Sequence, residues 1–313
     1  MTRLALAQHV GSLAALERQL AYEAISDDPE DYHRCIARER TLEIEACREM
    51  CVPCFFILDS EDSRLVHVSG QGGQSPYRKH TLYDATRQPV ASLAGYEVLV
   101  RASVGHEKTC LKFVEEKGGV NVADWPSQAL TLEWYKHVQP EFLKRKFAWY
   151  PMDGVFSRDL SAFKDEAGRF FCKTNYKALS GLTDNLVDLL GYSCETMPPS
   201  TEIVISEPLE IAADSLGKRE YRCFIMRGRV SSISRYIDYN TDYAIPASIE
   251  QFSADFVAAY IGKLPGCYVL DVAESDRGAV VIELNGIVAS GRYEKNCPRK
   301  MLVDLEKPLD AAG

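Results

Sequence analysis

Hydrophobic positions in the first fifty residues recur at helical spacing. Apolar side chains follow this pattern at Leu13, Leu16 and Leu20, and again at Leu42, Ile44, Cys47 and Met50. The segment S-D-D-P-E-D at 26–31 divides this pattern in two, because Ser and Asp cap helices and Pro is tolerated in a first turn. The pattern predicts a helical hairpin from Leu4 to about Cys51, which forms an N-terminal extension of residues 1–51.

Short strands and helices alternate over residues 52–154. Strand-like runs occur at 54–58 and 96–101, and helical patterns follow at 106–118 and 124–138. This alternation is typical of a parallel α/β unit, and it predicts a small α/β domain. Between the two strands, the Gly-rich segment 70–80 lacks the Lys-Ser/Thr pair of a phosphate loop and is predicted to be a surface loop.

The pattern changes to antiparallel hairpins after about residue 155. Strand-like runs occur at 169–174, 201–211, 220–226, 229–236, 267–272 and 279–285, with helical patterns at 185–190 and 249–261. Strands that follow one another through short turns favour antiparallel pairing. The second half, residues 155–313, is therefore predicted to be an α+β domain.

Composition and charge narrow the class of protein. With 313 residues and 46% hydrophobic content, the chain can bury a sizeable core. Its net charge of −9 argues against nucleic-acid binding, which needs a basic surface. No apolar run has the length of a membrane helix, and the N-terminus lacks the features of a signal peptide. Several cysteines fall inside strand patterns, which indicates buried, reduced thiols. We expect a cytoplasmic protein.

One predicted hairpin carries charge among its apolar residues. The sequence D-V-A-E-S-D-R-G-A-V-V-I-E-L-N runs from Asp271 to Asn285. If Gly278 supplies the left-handed residue of a three-residue loop at 276–278, Asp271 lies directly opposite Glu283. Because strand side chains alternate, Asn285 then shares their face. The other face carries Val272, Ile282 and Leu284.

Facing carboxylates on neighbouring strands are destabilising unless positive charge lies between them. A divalent cation would supply that charge. Two carboxylates and an amide oxygen form a hard-oxygen site that suits Mg²⁺ bound together with phosphate. The alternative is a solvent-exposed face on which a different register separates the carboxylates.

The preceding hairpin carries arginines. With Arg227 and Gly228 as a two-residue turn, Glu220 falls opposite Arg235, and Arg222 shares their face. Two arginines and a glutamate on one face form either a ladder of salt bridges or a clamp for anions. A neighbouring metal site favours the clamp.

These motifs together resemble a known family. They are F-F-C-K ending at Lys173, S-E-P-L at 206–209, E-Y-R-C-F-I-M-R-G-R-V at 220–230, S-R-Y at 234–236, Y-V-L-D-V at 268–272, V-I-E-L-N at 281–285 and S-G-R-Y at 290–293. They look like the ATP-grasp fold, in particular the clade of small bacterial and phage ligases named for two arginines and a lysine. The resemblance covers roughly residues 95–295.

The resemblance implies a domain organisation. Two α+β lobes, a central lobe at about 155–210 and a C-terminal lobe at about 211–305, would clasp ATP. The α/β domain at 52–154 is similar to the family's pre-ATP-grasp lobe, and the helical extension has no counterpart. The expected glycine-rich phosphate loop is reduced to N-Y-K-A-L-S-G-L at 175–182.

The resemblance also implies roles for individual residues. Lys173 would contact the phosphates, and either Lys144 or Lys146, with Lys146 as the candidate, would add a second basic contact. Backbone groups around Ser206, Glu207 and Leu209 would hold adenine. Arg222 and Arg235, beside Glu220, would bind phosphates or an acyl phosphate, and Arg292 would hold a substrate carboxylate. One or two Mg²⁺ ions would bind Asp271, Glu283 and Asn285.

The implied activity is an ATP- and Mg²⁺-dependent ligase that joins a carboxylate to an amine through an acyl phosphate. One alternative is a kinase-like phosphotransferase on the same fold, and another is an inactive nucleotide-binding interaction module. The expected partners are a small-molecule or peptide carboxylate and an amine, without nucleic acid or membrane. The N-terminal helices offer a surface for a second copy of the chain.

Overall fold

A computed structural model gives the fold for residues 2–21, 32–59, 80–103, 105–122, 132, 136–174, 179–191, 198–236, 242–293 and 296–308. The predicted loop at 70–79, the turn at 26–31 and most of the predicted helix at 124–138 lie outside these ranges. Among the described residues, none of the helices is long and apolar enough to span a bilayer.

A five-stranded sheet forms the N-terminal lobe. Its strands are β1 (Arg3–Gly11), β2 (Cys54–Asp59), β3 (His80–Asp84), β4 (Tyr96–Arg101) and β5 (Val120–Asn121). Their order is β3-β2-β1-β4-β5, and all neighbours are parallel except β2 and β3. The lobe's helices are α1 (Leu13–Ala21), α2 (Tyr32–Glu49) and α3 (Glu107–Glu116).

The prediction that the chain is helical from Leu4 onward is wrong for β1. This strand lies at the centre of the sheet, between β2 and β4, and its residues from Leu4 to Val10 are all buried. A strand that is covered on both faces loses the alternation of apolar and polar residues, so its pattern resembles a buried helix. The described residues at 2–21 and 32–50 are thus part of the α/β lobe rather than an extension. The helices at Leu13–Ala21 and Tyr32–Glu49 are confirmed.

Two four-stranded antiparallel sheets follow. The central sheet contains β6 (Phe147–Pro151), β7 (Phe170–Lys173), β8 (Gly181–Thr183) and β9 (Glu202–Ser206), in the order β6-β9-β7-β8. Short helices α4 (Pro140–Leu143), α5 (Met152–Val155) and α6 (Leu186–Leu190) and a 3₁₀ turn at Ser161–Phe163 accompany it. Because β6 pairs with β9, the central lobe begins before residue 155, where the sequence pattern had placed the boundary.

The C-terminal sheet carries both hairpins that the sequence singled out. It contains β12 (Glu220–Met226), β13 (Arg229–Arg235), β14 (Cys267–Ser275) and β15 (Gly278–Asn285), in the order β13-β12-β14-β15. A two-stranded ribbon, β10 (Ala213–Asp214) and β11 (Gly217–Lys218), precedes it. Helices α7 (Ala247–Tyr260) and α8 (Pro298–Glu306) complete the lobe.

Each face of the C-terminal sheet packs against a different partner. One face contributes residues such as Phe224 and Val269 to a core shared with the N-terminal lobe. The other face packs under α7 through residues such as Cys223 and Leu270. Neighbouring residues of a strand therefore belong to different cores, so a register shift of one residue moves a side chain from one environment to the other.

Candidate active site

The hairpin of β14 and β15 brings Asp271 and Glu283 directly opposite each other, as predicted. The turn length and the strand register that produce this pairing differ from the prediction. The turn has two residues between Ser275 and Gly278, and an irregularity beside Asp271 leaves Ile282 as an extra residue in β15. The shorter turn and the bulge change the register by one residue in opposite senses and cancel. Ile282 is only partly buried, in contrast to the prediction that it packs into the core.

Asp271 lies buried at the centre of a hydrogen-bond network. Arg222 donates from Nε to Oδ1 at 2.9 Å and from Nη2 to Oδ2 at 2.7 Å, which makes a bidentate pair. Asn285 Nδ2 donates to Oδ2 at 2.9 Å, and the Tyr236 hydroxyl donates to the same oxygen at 3.3 Å. Burial alone would lower the pKa of Arg222, but the Asp271 carboxylate raises it above its usual value.

Glu283 pairs with a lysine from the other lobe. Lys173, at the end of β7, donates from Nζ to Glu283 Oε1 at 2.7 Å. Burial works against ionisation of Glu283, but the Lys173 ammonium outweighs it and lowers the pKa of the carboxyl group below its usual value. Asp271 and Glu283 are thus each neutralised by a cation, one from each lobe.

Glu220 adds a third carboxyl group to this face. It lies two residues before Arg222 on β12, opposite Ala273. Burial raises its pKa, and the negative charges of Asp271 and Glu283 raise it further. Glu220, which the sequence placed among the cofactor-binding residues, thus shares this environment with Asp271 and Glu283.

The structure places Arg235 away from the site. The turn at Arg227 and Gly228 forms as predicted, with positive φ angles of 48° and 74°. An irregularity between Phe224 and Ile225 then shifts the register, so that Arg235 lies opposite Tyr221 rather than Glu220. A shift of one residue moves a side chain to the other face of a sheet. The predicted pairing is therefore wrong.

Arg235 instead binds the ribbon of β10 and β11. Its guanidinium donates to Asp214 Oδ2 at 3.0 Å and Oδ1 at 2.7 Å, and to the carbonyl oxygen of Gly217 at 2.8 Å. These contacts hold the ribbon against the sheet. The clamp of two arginines that the sequence suggested does not form in this structure.

The Arg292 side chain also binds other protein groups rather than facing the predicted substrate site. Its side chain is 1% exposed and donates from Nε to Glu43 Oε1 at 3.2 Å and from Nη2 to the Glu39 carbonyl oxygen at 2.8 Å. Arg101 donates to the same Glu43 oxygen at 3.0 Å. These residues join α2 and β4 of the N-terminal lobe to the segment after β15, so the guanidinium that was predicted to hold a substrate carboxylate is enclosed by protein.

Two tyrosines that the sequence reasoning did not assign line the site instead. Tyr236 follows Arg235 in S-R-Y, and Tyr293 follows Arg292 in S-G-R-Y. Their rings stand 4.6 and 5.4 Å from the Arg222 guanidinium carbon. Burial raises the pKa of Tyr293 to about 12, so its hydroxyl stays protonated at neutral pH. In both S-R-Y and S-G-R-Y the tyrosine directly follows the arginine, so the motifs themselves could have indicated these two residues.

The linker after β9 lies beside an open basic groove. Ser206 is buried, Leu209 is half-buried, and the Glu207 amide donates to the Lys146 carbonyl oxygen at 3.0 Å. The Glu207 carboxylate accepts from Arg277 at 2.7 Å and lies 3.4 Å from Lys146 Nζ. Burial opposes its ionisation, but Arg277 lowers the pKa of Glu207.

Both candidate lysines line this groove, which is formed by Pro140, Lys144, Arg145, Lys146, Phe147, Glu207 and Arg277. Lys144 Nζ donates to the Arg277 carbonyl oxygen at 3.2 Å, at the tip of the β14–β15 hairpin. Lys146 is 71% exposed and hence the freer of the two to turn toward a ligand. The reduced phosphate loop predicted at 175–182 lies partly outside the described residues.

The oxygen donors on the sheet face fit a hard divalent cation. Asp271, Glu283 and Asn285 offer carboxylate and amide oxygens, the ligand types that Mg²⁺ prefers. Asp271 and Glu283 occupy directly opposed positions, and the Asn285 side chain reaches Asp271. Three protein oxygens leave coordination positions for water and phosphate.

Comparison with known proteins identifies the fold. A model of the ATP-grasp domain, for family 3 of the clade named for two arginines and a lysine, matches residues 83–305. The D-alanine-D-alanine ligase of Coxiella burnetii matches with a TM-score of 0.55 at 11% identity, over 97% of this chain and 94% of that chain. The corresponding ligase of Helicobacter pylori matches with a TM-score of 0.54 at 11% identity, over 99% and 100%.

A RimK domain protein of the ATP-grasp fold from Sphaerobacter thermophilus also matches, with a TM-score of 0.52 at 13% identity, over 97% of this chain and 100% of that chain. None of the curated protein sequences matches this one significantly. At such identities the structural likeness shows the fold, and the predicted ATP-grasp fold is confirmed. The family match supports an ATP-dependent ligase as the general class of activity. Since that match covers well over half of the sequence, the chain belongs to family 3 of the two-arginine, one-lysine clade of ATP-grasp domains.

Proposed function

We propose that the protein is an ATP- and Mg²⁺-dependent ligase that joins a carboxylate to an amine through an acyl phosphate and releases ADP and phosphate. The observation that carries this proposal is the set of opposed oxygen donors, Asp271 and Glu283, each paired with a cation from a different lobe. This arrangement suits the positioning and neutralisation of phosphates, on which phosphoryl transfer depends.

Three groups of residues would bind the nucleotide. The backbone between Ser206 and Leu209, beside the groove that Lys146 lines, would hold adenine. Lys173 would leave Glu283 and bind phosphate oxygens. Asp271, Glu283 and Asn285 would hold Mg²⁺, which would supply positive charge to neutralise the phosphates.

The reaction would proceed in two chemical steps, and neither step forms a covalent bond to the enzyme. A carboxylate oxygen of the substrate attacks the γ-phosphorus, and the bond to the β-phosphate oxygen breaks to release ADP. The amine nitrogen then attacks the acyl carbon, phosphate leaves, and the amine loses a proton. Tyr236 and Tyr293, which burial keeps protonated, would donate hydrogen bonds to the anionic oxygens. Arg222 would hold the Asp271 carboxylate in place through its two hydrogen bonds.

The partners follow from this chemistry. The acid and the amine are small molecules or peptides. Eight of the cysteines whose side chains the structure describes are free thiols, which supports the reducing cytoplasm as the site of action. Association of two copies through the N-terminal helices stays a prediction.

Removing the Lys173 ammonium should strengthen Mg²⁺ binding in the absence of nucleotide. Lys173 already supplies positive charge to Glu283, so it competes with the metal ion. The Lys173→Met variant should therefore bind Mg²⁺ at least roughly 10-fold more tightly than wild type does without ATP, because a like charge a few ångströms away is gone. Calorimetric titration with MgCl₂ measures this. Lys164→Met, an exposed lysine of the same lobe, is the control and should leave Mg²⁺ affinity unchanged.

The products of the reaction test the proposed activity. Wild-type protein is incubated with ATP, Mg²⁺ and a panel of amino acids and short peptides, and nucleotides are separated by chromatography. We expect repeated turnover to ADP and free phosphate only when an acid and an amine are both present, because the acid alone stops at the acyl phosphate. We also expect hydroxylamine to trap the acyl phosphate as a hydroxamate when the amine is left out.

Each alternative predicts other products. A phosphotransferase would form ADP and a stable phosphorylated product from one substrate. Formation of AMP and pyrophosphate would contradict the acyl-phosphate route. Absence of Mg²⁺-dependent nucleotide binding in calorimetry would contradict the whole site.

A further inference from the structure

A cluster of three histidines and one aspartate lies at the carboxyl ends of the parallel strands of the N-terminal lobe. His9 is near the end of β1, Asp59 is the last residue of β2, and His106 follows β4 just before α3. His80 begins β3 and is the cross-strand neighbour of Asp59. The carboxyl edge of parallel strands is where α/β sheets bind ligands.

The distances within this cluster match those of a metal site. His9 Nε2 and His80 Nδ1 each lie 3.2 Å from Asp59 Oδ1. One ligand atom from each of these three residues lies within 4.8 Å of the other two. In a tetrahedral zinc site, bonds of about 2.0–2.1 Å place neighbouring ligand atoms about 3.3 Å apart. The two short distances therefore equal the edge of such a tetrahedron.

The third imidazole, that of His106, lies beside the ligand atoms of His9 and Asp59. The His106 ring stacks on the His9 ring, with centroids 4.3 Å apart, and its Nε2 is 4.0 Å from Asp59 Oδ2. Ser103 Oγ lies 3.0 Å from His106 Nδ1, which directs Nε2 toward the aspartate. Such a partner on the far nitrogen is typical of histidines that bind metals.

The surroundings shield the imidazoles of His9 and His80 from solvent. The side chains of His9 and His80 are 5% and 3% exposed.

We propose that His9, Asp59 and His80 bind one divalent transition-metal ion, with Zn²⁺ as the best match, and that His106 stands at the fourth position. Imidazole nitrogens select zinc and related ions over magnesium, so this site is chemically distinct from the oxygen site on the C-terminal sheet. Three protein ligands leave one position that His106 or an exchangeable ligand fills.

The site would lie close to the junction of the lobes. The carbonyl oxygen of His9 accepts from Arg40 Nη1 at 2.6 Å. Arg40 lies on α2 between Glu39 and Glu43, the two residues that hold Arg292 of the C-terminal lobe. A bound ion would therefore fix the end of β1 beside this junction.

Metal binding to the intact protein tests the proposal. The full chain is dialysed against chelator, and calorimetry with ZnCl₂ is expected to show one ion bound per chain that excess Mg²⁺ does not displace. Co²⁺ replaces Zn²⁺ for spectroscopy, because the chain has 10 cysteines that could also bind metal. We expect visible bands of four-coordinate Co²⁺ without the ultraviolet charge-transfer band of thiolate ligands.

Variants assign the ligands. His80→Asn and Asp59→Asn should each weaken Zn²⁺ binding by more than the roughly 10- to 100-fold that loss of an outer hydrogen-bond partner costs. His137→Asn, an exposed histidine in another part of the chain, should bind as wild type does. Circular dichroism checks that each variant is folded.

Three results would overturn the proposal. The first is wild-type protein that binds neither Zn²⁺ nor Co²⁺, which would leave Asp59 as a hydrogen-bond acceptor for two imidazoles. The second is a Co²⁺ spectrum dominated by thiolate ligands. The third is unchanged affinity in both His80→Asn and Asp59→Asn. The wild-type titration and spectrum decide the question even if a variant fails to fold.

Discussion

Replacing Glu283 by glutamine is expected to abolish most Mg²⁺-dependent ADP formation while the protein stays folded. The substitution keeps the shape of the side chain but removes the charge that faces Asp271. A metal ion that neutralises phosphate charge contributes several kcal/mol to the transition state, so kcat/KM should fall by roughly 10²–10³-fold. Lys173 and Glu283 are 12% and 27% exposed, so the substitution leaves a largely enclosed lysine without its counter-charge and should cost about 1–3 kcal/mol of stability.

Glu274→Gln is the matched control. Glu274 lies on the same hairpin but faces away from the site, where it accepts from the Tyr221 hydroxyl at 2.9 Å and from Arg219 at 2.9 Å. Its neutralisation should leave turnover close to that of wild type. ADP release and calorimetric binding of MgATP are measured for both variants. If Glu283→Gln binds and turns over MgATP as wild type does, the assignment of the metal ligands is wrong.

The two hairpins show how far sequence alone locates such a site. Gly278 and the Arg227–Gly228 pair marked both turns, since turn residues act through local geometry. Bulges have no comparable local signal, because neighbouring strands and cores decide where an extra residue is tolerated. The extra residue Ile282 compensates for the incorrectly predicted turn length and leaves Asp271 opposite Glu283. The irregularity beside Phe224 moves Arg235 to the opposite face of the sheet.

Long-range contacts account for the remaining errors. The strand β1 pairs with residues more than forty positions away, and its buried composition hides the alternation that marks most strands. The partners of Arg292 lie about 250 positions before it, in a helix that carried no functional signal. Charged residues in the sequence identified the site, but whether a given arginine faces ligand or another lobe depends on pairings that no local pattern specifies.

The Arg292→Met variant distinguishes a role of Arg292 in binding substrate from a structural role at the junction between the lobes. Its guanidinium is enclosed between α2 and the segment after β15, where it pairs with Glu43 and the backbone of Glu39. Removing one member of a buried ion pair leaves its partner with uncompensated charge, which costs about 3–5 kcal/mol. Arg101 still donates to the same Glu43 oxygen at 3.0 Å and compensates part of its charge. We therefore expect destabilisation at the lower end of this range, about 3 kcal/mol.

Urea unfolding followed by circular dichroism measures the free energy of unfolding of Arg292→Met and of its control, Arg299→Met. Arg299 lies on α8 and makes an exposed ion pair with Glu49 at 3.5 Å, so its loss should change stability by less than about 0.5 kcal/mol. A residue that only binds substrate would give the reverse result, with lower affinity for the acid and unchanged stability. That outcome would return Arg292 to the substrate site and imply that the junction between the lobes opens during the reaction.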